Sequence, residues 1–254
     1  MTQRTSILAL VLAAGLAASA LAPSAFAAPP ANIAAALADP ARPAADVARD
    51  ATRKPGDLLA LADIKTGDKV ADFVIGGGYF PRVLSAAVGP SGHVYAYQPA
   101  EFIAYQASYG EALKSVAAQH SNVTPLNAGL QGFDLPDGLD AVLTVQNYHD
   151  LYLKAFPADT AAKVNAEIFK SLKPGGVFLV VDHQALAGSG TDAAATLHRI
   201  DPDAVKQDLA AAGFELERES GLLANSDDPH TANVFDPAIR GKTDQFTLVF
   251  RKPS

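Results

Sequence analysis

The 254-residue sequence carries 20 Lys and Arg against 27 Asp and Glu, a formal net charge of −7, and no cysteine. The missing cysteine excludes disulfides, thiolate metal sites, a lipid-modified cysteine and a Cys nucleophile. The acidic balance, with no basic run interleaved with aromatics, argues against a nucleic-acid partner.

Met1 to Arg4 are basic, Ile7 to Ala22 form an uncharged Ala/Leu-rich run, and Ala25-Phe26-Ala27 has the small-x-small pattern of a signal-peptidase site. Residues 1–27 are therefore predicted to be a secretory signal cleaved near Ala27. A membrane anchor is the rival, but Pro23 and the cleavage pattern after it favour removal. The expected protein is exported, periplasmic or secreted, with no stable membrane span once the signal has gone. What remains is long enough for one α/β domain with a short extension and a core that needs no staples.

Residues 28–68 are expected to form an N-terminal helical extension. Alanine-rich helical patterns run around Ile33 to Leu37 and Ala44 to Ala51, punctuated by prolines at 29, 30, 40 and 43. Leu58, Leu59, Leu61 and Ala62 mark one more helix before Thr66-Gly67-Asp68 turns into the first strand. The domain proper is predicted over residues 69–254. Apolar strand patterns fall at Lys69 to Ile75, His93 to Gln98, Val123 to Ala128, Ala141 to Gln146, Val177 to Val181 and Phe246 to Phe250, and a further strand is expected at Phe214 to Glu219. Helical patterns lie between them, at Phe80 to Val88, Ala100 to Gln119, Ala158 to Leu172 and Pro202 to Ala212. Continuous apolar strands alternating with helices predict a doubly wound, mostly parallel, seven-stranded Rossmann-like sheet covered on both faces.

Ligands of such sheets sit at the carboxyl ends of the strands. There, "DFVIGGGYF" breaks from strand into three consecutive glycines, Gly76, Gly77 and Gly78, ahead of a helix. Glycine lets the backbone approach a ligand, and the amides opening the helix favour a carboxylate or phosphate. A sharp corner would use glycine for purely structural reasons, so position within the fold carries the ligand reading.

At these residues the chain resembles the class I S-adenosylmethionine-dependent methyltransferases. Their first motif is an acidic residue followed by Gly-x-Gly-x-Gly, and Asp72, Gly76 and Gly78 match three of those four places. "GHVYAYQ", "DGLDAVLTVQNYHDLY" and "LKPGGVFLVVDH" resemble later parts of the same fold, in order and spacing. "NYHD", "LHRID" and "DPHTANVFDPAIRGKTDQFTLVF" are similar to small exported bacterial proteins labelled as methyltransferases. The resemblance implies S-adenosylmethionine as cofactor, held by Asp72, Gly76, Gly77, Gly78, Gln98 and Gln131, and a small-molecule methyl acceptor.

The chain departs from the motif in three places. Val74 replaces the first glycine and is expected to stay extended, because positive φ is costly for a β-branched residue. Gln98 stands where an acid would grip the ribose hydroxyls, and Asn127 or Gln131 where an Asp often lies near the adenine. An amide accepts through one oxygen and without charge assistance, so weakened cofactor binding is expected.

His149-Asp150 follow the fourth strand and Asp182-His183 end the fifth, facing one cleft edge. The first pair, with Tyr148, is the candidate catalytic group, suited to general-base work or orientation of the acceptor. Capping and loop bonding are the bland alternative. A divalent metal on Asp150, Asp182 and a nearby His or Asn is also conceivable, but no His-x-His or His-Glu-x-x-His spacing supports it and none is predicted. His198 and His230 lie in later loops, open to either role. The Gly-x-Ser-x-Gly elbow and the Walker loop are both absent, which argues against a serine hydrolase and a nucleotide hydrolase. Two functions remain: an exported methyltransferase, or a non-enzymatic binding protein that kept the fold and lost the cofactor.

Overall fold

The computed structural model describes residues 28–254; the proposed signal segment lies outside the described residues. Four short helices open it: α1 (Ala31–Leu37), α2 (Ala44–Val47), α3 (Asp50–Arg53) and α4 (Pro55–Leu61). Alternation follows, with β1 (Lys69–Phe73), α5 (Tyr79–Val88), β2 (His93–Tyr97), α6 (Ala100–Tyr105), α7 (Ser108–Gln119), β3 (Val123–Leu126) and β4 (Leu139–Val145). The second half holds α8 (Thr160–Ser171), β5 (Leu172–His183), α9 (Ala194–Leu197), α10 (Pro202–Ala211), β6 (Glu215–Ser220) and β7 (Gln245–Arg251).

The seven strands form one sheet in the order β3-β2-β1-β4-β5-β7-β6. β1 to β5 are mutually parallel, and β7 runs antiparallel to both β5 and β6. The strand order reverses between β1 and β4, so a crevice opens beyond their carboxyl ends. Alternate strand residues feed two cores. Val70, Val94 and Leu143 pack with Ile33, Leu58, Val83 and Leu84 on one face. On the other, Ala71, Val142, Phe178 and Val180 meet Val164, Ile168, Val205 and Leu209.

Two expectations need correction. The single helix predicted over 100–119 breaks at Gln106, which is extended at φ −141° and ψ 102°. Phe102 packs toward one core while Leu113 and Val116 enter the other, so two directions are required where one straight helix offers one. The "LKPGG" segment, outside the strand expected over Val177 to Val181, is also part of β5. Gly175 N donates to Lys252 O and Lys252 N donates to Gly176 O, and the register jumps from Leu139↔Leu172 to Ala141↔Val177, a bulge that absorbs the extra residues.

Candidate functional site

The glycine turn leaves β1 at the switch point. Val74 is in the left-handed region at φ 68°, contrary to the extended geometry expected of it. Its own N–H and that of Ile75 both donate to Tyr97 O, at 3.0 and 3.1 Å, and Asn147 Nδ2 donates to its carbonyl. Burial of the isopropyl group beside Phe73 and Tyr148 completes the constraint. Tertiary bonds thus override a local preference that costs about 1–2 kcal/mol. Gly76 (φ 54°) and Gly78 (φ 79°) continue the turn into α5. A Cβ at Gly76 or Gly77 would meet nothing within 4 Å, whereas one at Gly78 would come within 2.5 Å of Val116 Cγ2. The first two glycines therefore face open space and the third makes helix packing possible.

Gln98 is fully buried at the end of β2, and its Oε1 accepts from Gly76 N at 2.9 Å. Its Nε2 has no partner. Asp72, also buried, is pushed up to about 7 by desolvation, against which the charge of Arg53 acts. Arg53, at the end of α3, lies over the rings of Tyr79 and Phe80 at 4.7 and 5.1 Å, and burial brings its guanidinium down to about 10. The extension is pinned here by further bonds. Arg42 chelates Asp50, Tyr79 Oη donates to Asp50, and Arg82 bridges Asp46 and Gly77 O. None of these extension residues stood out in the sequence; only their Arg and Asp content inside an otherwise Ala/Pro-rich stretch hinted at a docked segment. Gln131 is exposed, and its amide is spent on Thr160 and Lys163 of α8.

A second cluster forms beyond β4 and β5. Gln146 turns the chain at φ 66°, and a 3-10 turn over Tyr148–Tyr152 follows. The turn sets His149 against Asp182, with N to Oδ2 at 2.7 Å and Nδ1 to Oδ1 at 2.8 Å. His149 Nε2 faces Asp150 Oδ1 and His198 Nδ1, each at 3.3 Å. Burial depresses the His149 imidazole, but the charge of Asp182 and the bond to Asp150 outweigh it and carry it up to about 10. His183 takes the opposite course, brought down to about 4 by burial while its Nδ1 meets Thr243 Oγ1. Tyr148 is a core residue whose hydroxyl accepts from Asn165 Nδ2 on α8, so it is not presented to a ligand alongside His149.

His198 joins this cluster through its neighbour. Arg199 is fully buried, chelates Asp228 at 2.8 and 3.0 Å, and donates to Ala232 O and Gln184 O. That anchor, with Ile200 N bonded to His183 O, forces His198 into a left-handed backbone at φ 54°. His230 instead pairs with Asp244 at 2.8 Å.

The fold has counterparts among solved structures. A S-adenosylmethionine-dependent methyltransferase from Aquifex aeolicus aligns over 81% of this chain and 93% of its own, with a TM-score of 0.57 and 19% identity. The chain has the class I methyltransferase fold. A TehB-like methyltransferase from Corynebacterium glutamicum aligns over 78% of this chain and 86% of its own, with a TM-score of 0.52 and 14% identity. In sequence, the protein-L-isoaspartate O-methyltransferase of Ignicoccus hospitalis is 29% identical over 123 residues, 48% of this chain. This chain spans about half the length of that relative, 51%. No family model matches the sequence. With the methyltransferase fold assigned, the glycine turn and the histidine cluster lie at the two sides of its strand-end crevice.

Proposed function

We propose that this chain is a S-adenosylmethionine-dependent methyltransferase, exported, that passes the methyl group to a small-molecule nucleophile. The observation that carries it is the open face at Gly76 and Gly77 beside the orphaned Nε2 of Gln98, a cradle with room and an unsatisfied donor. The residues fit the cofactor. Gly76 and Gly77 would hold its methionine end at the start of α5, and Gln98 Nε2 would donate to a ribose oxygen. Asp72 lies beneath the turn as its buried acid. When bound, the cofactor supplies the electrophilic methyl group. The chain's own part is to position the acceptor in line and keep water out, which asks for few dedicated catalytic groups. His149 and Asp150 would orient that acceptor. The name of the Ignicoccus relative, an O-methyltransferase, favours an oxygen nucleophile.

Export rests on the pattern of residues 1–27; among the described residues, no helix is long and apolar enough to cross a membrane. Fractionation of the native host, with the mature N-terminus sequenced, tests this: a chain retaining residues 1–27 in the cytosol refutes it. For the cofactor, calorimetric titration with S-adenosylmethionine and its demethylated product is expected to give binding; no heat at millimolar ligand refutes the assignment.

A second reading, a binding protein that has lost the cofactor, is favoured by one observation: Gln98 Oε1 already occupies Gly76 N. If Val74→Gly with Gln98→Asp creates binding absent from the native chain, that reading stands; strong native binding excludes it.

A further inference from the structure

We propose that His149, Asp150 and His198 form a binding site for a divalent first-row transition metal, with Zn²⁺ as the reference ion. Three donor atoms converge: His149 Nε2, Asp150 Oδ1 and His198 Nδ1. They are separated by 3.3, 3.3 and 3.8 Å. Three atoms so spaced share a point about 2.0 Å from each, the bond length of Zn²⁺ to imidazole nitrogen and carboxylate oxygen. Two of the three edges also match the ~3.3 Å between ligands of a zinc tetrahedron with such bonds, and closing the third, His198 Nδ1 to Asp150 Oδ1 at 3.8 Å, would lift the ion out of the plane of the donors.

The surroundings supply what a metal site needs beyond its ligands. Asp182 Oδ1 binds His149 Nδ1, which fixes the ring and turns Nε2 toward the other two donors, the carboxylate–histidine–metal arrangement. Asp182 itself is saturated, accepting from His149 N and His183 N as well, so it holds its place. His198 is set by the buried Arg199–Asp228 pair and by a left-handed backbone that only over-determined surroundings maintain.

Exposure is graded. The side chains of His149, Asp150 and His198 are 4%, 16% and 27% accessible, so the cluster runs from a buried ligand to partly accessible ones. Three protein ligands with one open position is the pattern of a reactive rather than a purely structural site. Two imidazoles and one carboxylate suit Zn²⁺, Fe²⁺ or Mn²⁺ better than Ca²⁺ or Mg²⁺, which prefer all-oxygen shells. At an open position the ion would take water or an acceptor oxygen. The metal site stands without the methyl-transfer assignment.

The test uses the full described chain, stripped with a chelator, reloaded with Zn²⁺ and passed through gel filtration. One equivalent is expected by elemental analysis. Calorimetry of His198→Ala and of Asp150→Asn is expected to show affinity reduced by about 100-fold or more, the scale on which metal-site residues act. Both side chains sit at the rim, and a native circular dichroism spectrum confirms that the variants fold. His120→Ala, just before β3, retains full binding. Co²⁺ in place of Zn²⁺ is expected to give d–d absorption that the two rim variants lose. Zn²⁺ content near zero, or binding unchanged in both rim variants, overturns the site. Because S-adenosylmethionine is titrated separately, metal without cofactor heat refutes only methyl transfer, and cofactor heat without metal refutes only this site.

Discussion

The glycine turn after β1 and the histidine cluster after β4 and β5 lie at the same end of the same sheet, yet they are built in opposite ways. In the turn, polar groups are left over: Gln98 Nε2 has no partner, Asp72 is buried opposite a single guanidinium charge, and Val74 is held in a left-handed backbone. In the cluster, the buried groups are saturated, with Asp182 accepting three N–H donors and Arg199 chelating Asp228. Orphaned groups cost free energy that a ligand can recover, whereas saturated ones hold geometry in advance. The turn therefore has the character of a site completed by what binds to it. The cluster has that of a site built beforehand by its own chain.

The largest effect is expected on the saturated side. Arg199→Met strands Asp228 in the interior, and denaturant unfolding should show a loss of about 3–5 kcal/mol, as for other broken buried pairs. A loss below about 1 kcal/mol would mean that the cluster is not prebuilt. Next comes Gly78→Ala, whose Cβ would sit 2.5 Å from Val116 Cγ2 at φ 79°. Overpacking plus the left-handed penalty should cost roughly 2–4 kcal/mol in the same assay.

Comparing the pH dependence of stability between the native chain and Asp72→Asn isolates Asp72 from His183, which is brought down to about 4 and adds a slope of opposite sign over the same range in both. Its native value near 7 lies above that of the unfolded chain, so the folded state holds the extra proton between about pH 4 and 7. Its contribution is thus fully present below about pH 4 and is lost as pH rises to 7, with a slope of up to about 1.4 kcal/mol per pH unit. Asp72→Asn should flatten that slope and leave the variant relatively more stable at pH 8; an unchanged profile would place the titration elsewhere.

Smaller still is Val74→Gly. Relief of the left-handed strain offsets part of the lost burial, so a net change within about 1 kcal/mol is expected, against about 3 kcal/mol or more for Val70→Gly inside β1. Equal losses at the two positions would show that Val74 is not strained. Smallest is Gln131→Ala, which removes exposed hydrogen bonds to Thr160 and Lys163 and should change stability by no more than about 1 kcal/mol, with cofactor affinity unaltered.

Much of the fold was legible because its determinants are local. Strands β1 to β5 and β7 each contain an apolar run and most helices have their own periodicity, so their alternation follows from neighbouring residues, whereas β6, Glu215–Ser220, is polar and exposed. The glycine turn was conspicuous for the same reason. The site was less so. Tyr148 reads as part of a polar loop in "NYHD", and only packing against Asn165 makes it a core residue. His198 reads as a loop histidine until Arg199 meets Asp228, 29 residues on. The extension reads as an Ala/Pro-rich helical segment, and nothing local reveals that Arg53 lies over Tyr79 or that Asp46 meets Arg82.

By itself, then, the sequence determined the element order, the doubly wound class and the position of a glycine-rich corner, because hydrophobic period and breaker residues act over a few positions. Tertiary structure alone decided that Val74 turns left-handed, that Gln98 folds back onto Gly76, and that His149, Asp150 and His198 converge. Each of these depends on bonds between residues distant in sequence, such as Asn147 to Val74 across 73 positions, whose combined constraint outweighs the conformational preference of any single residue.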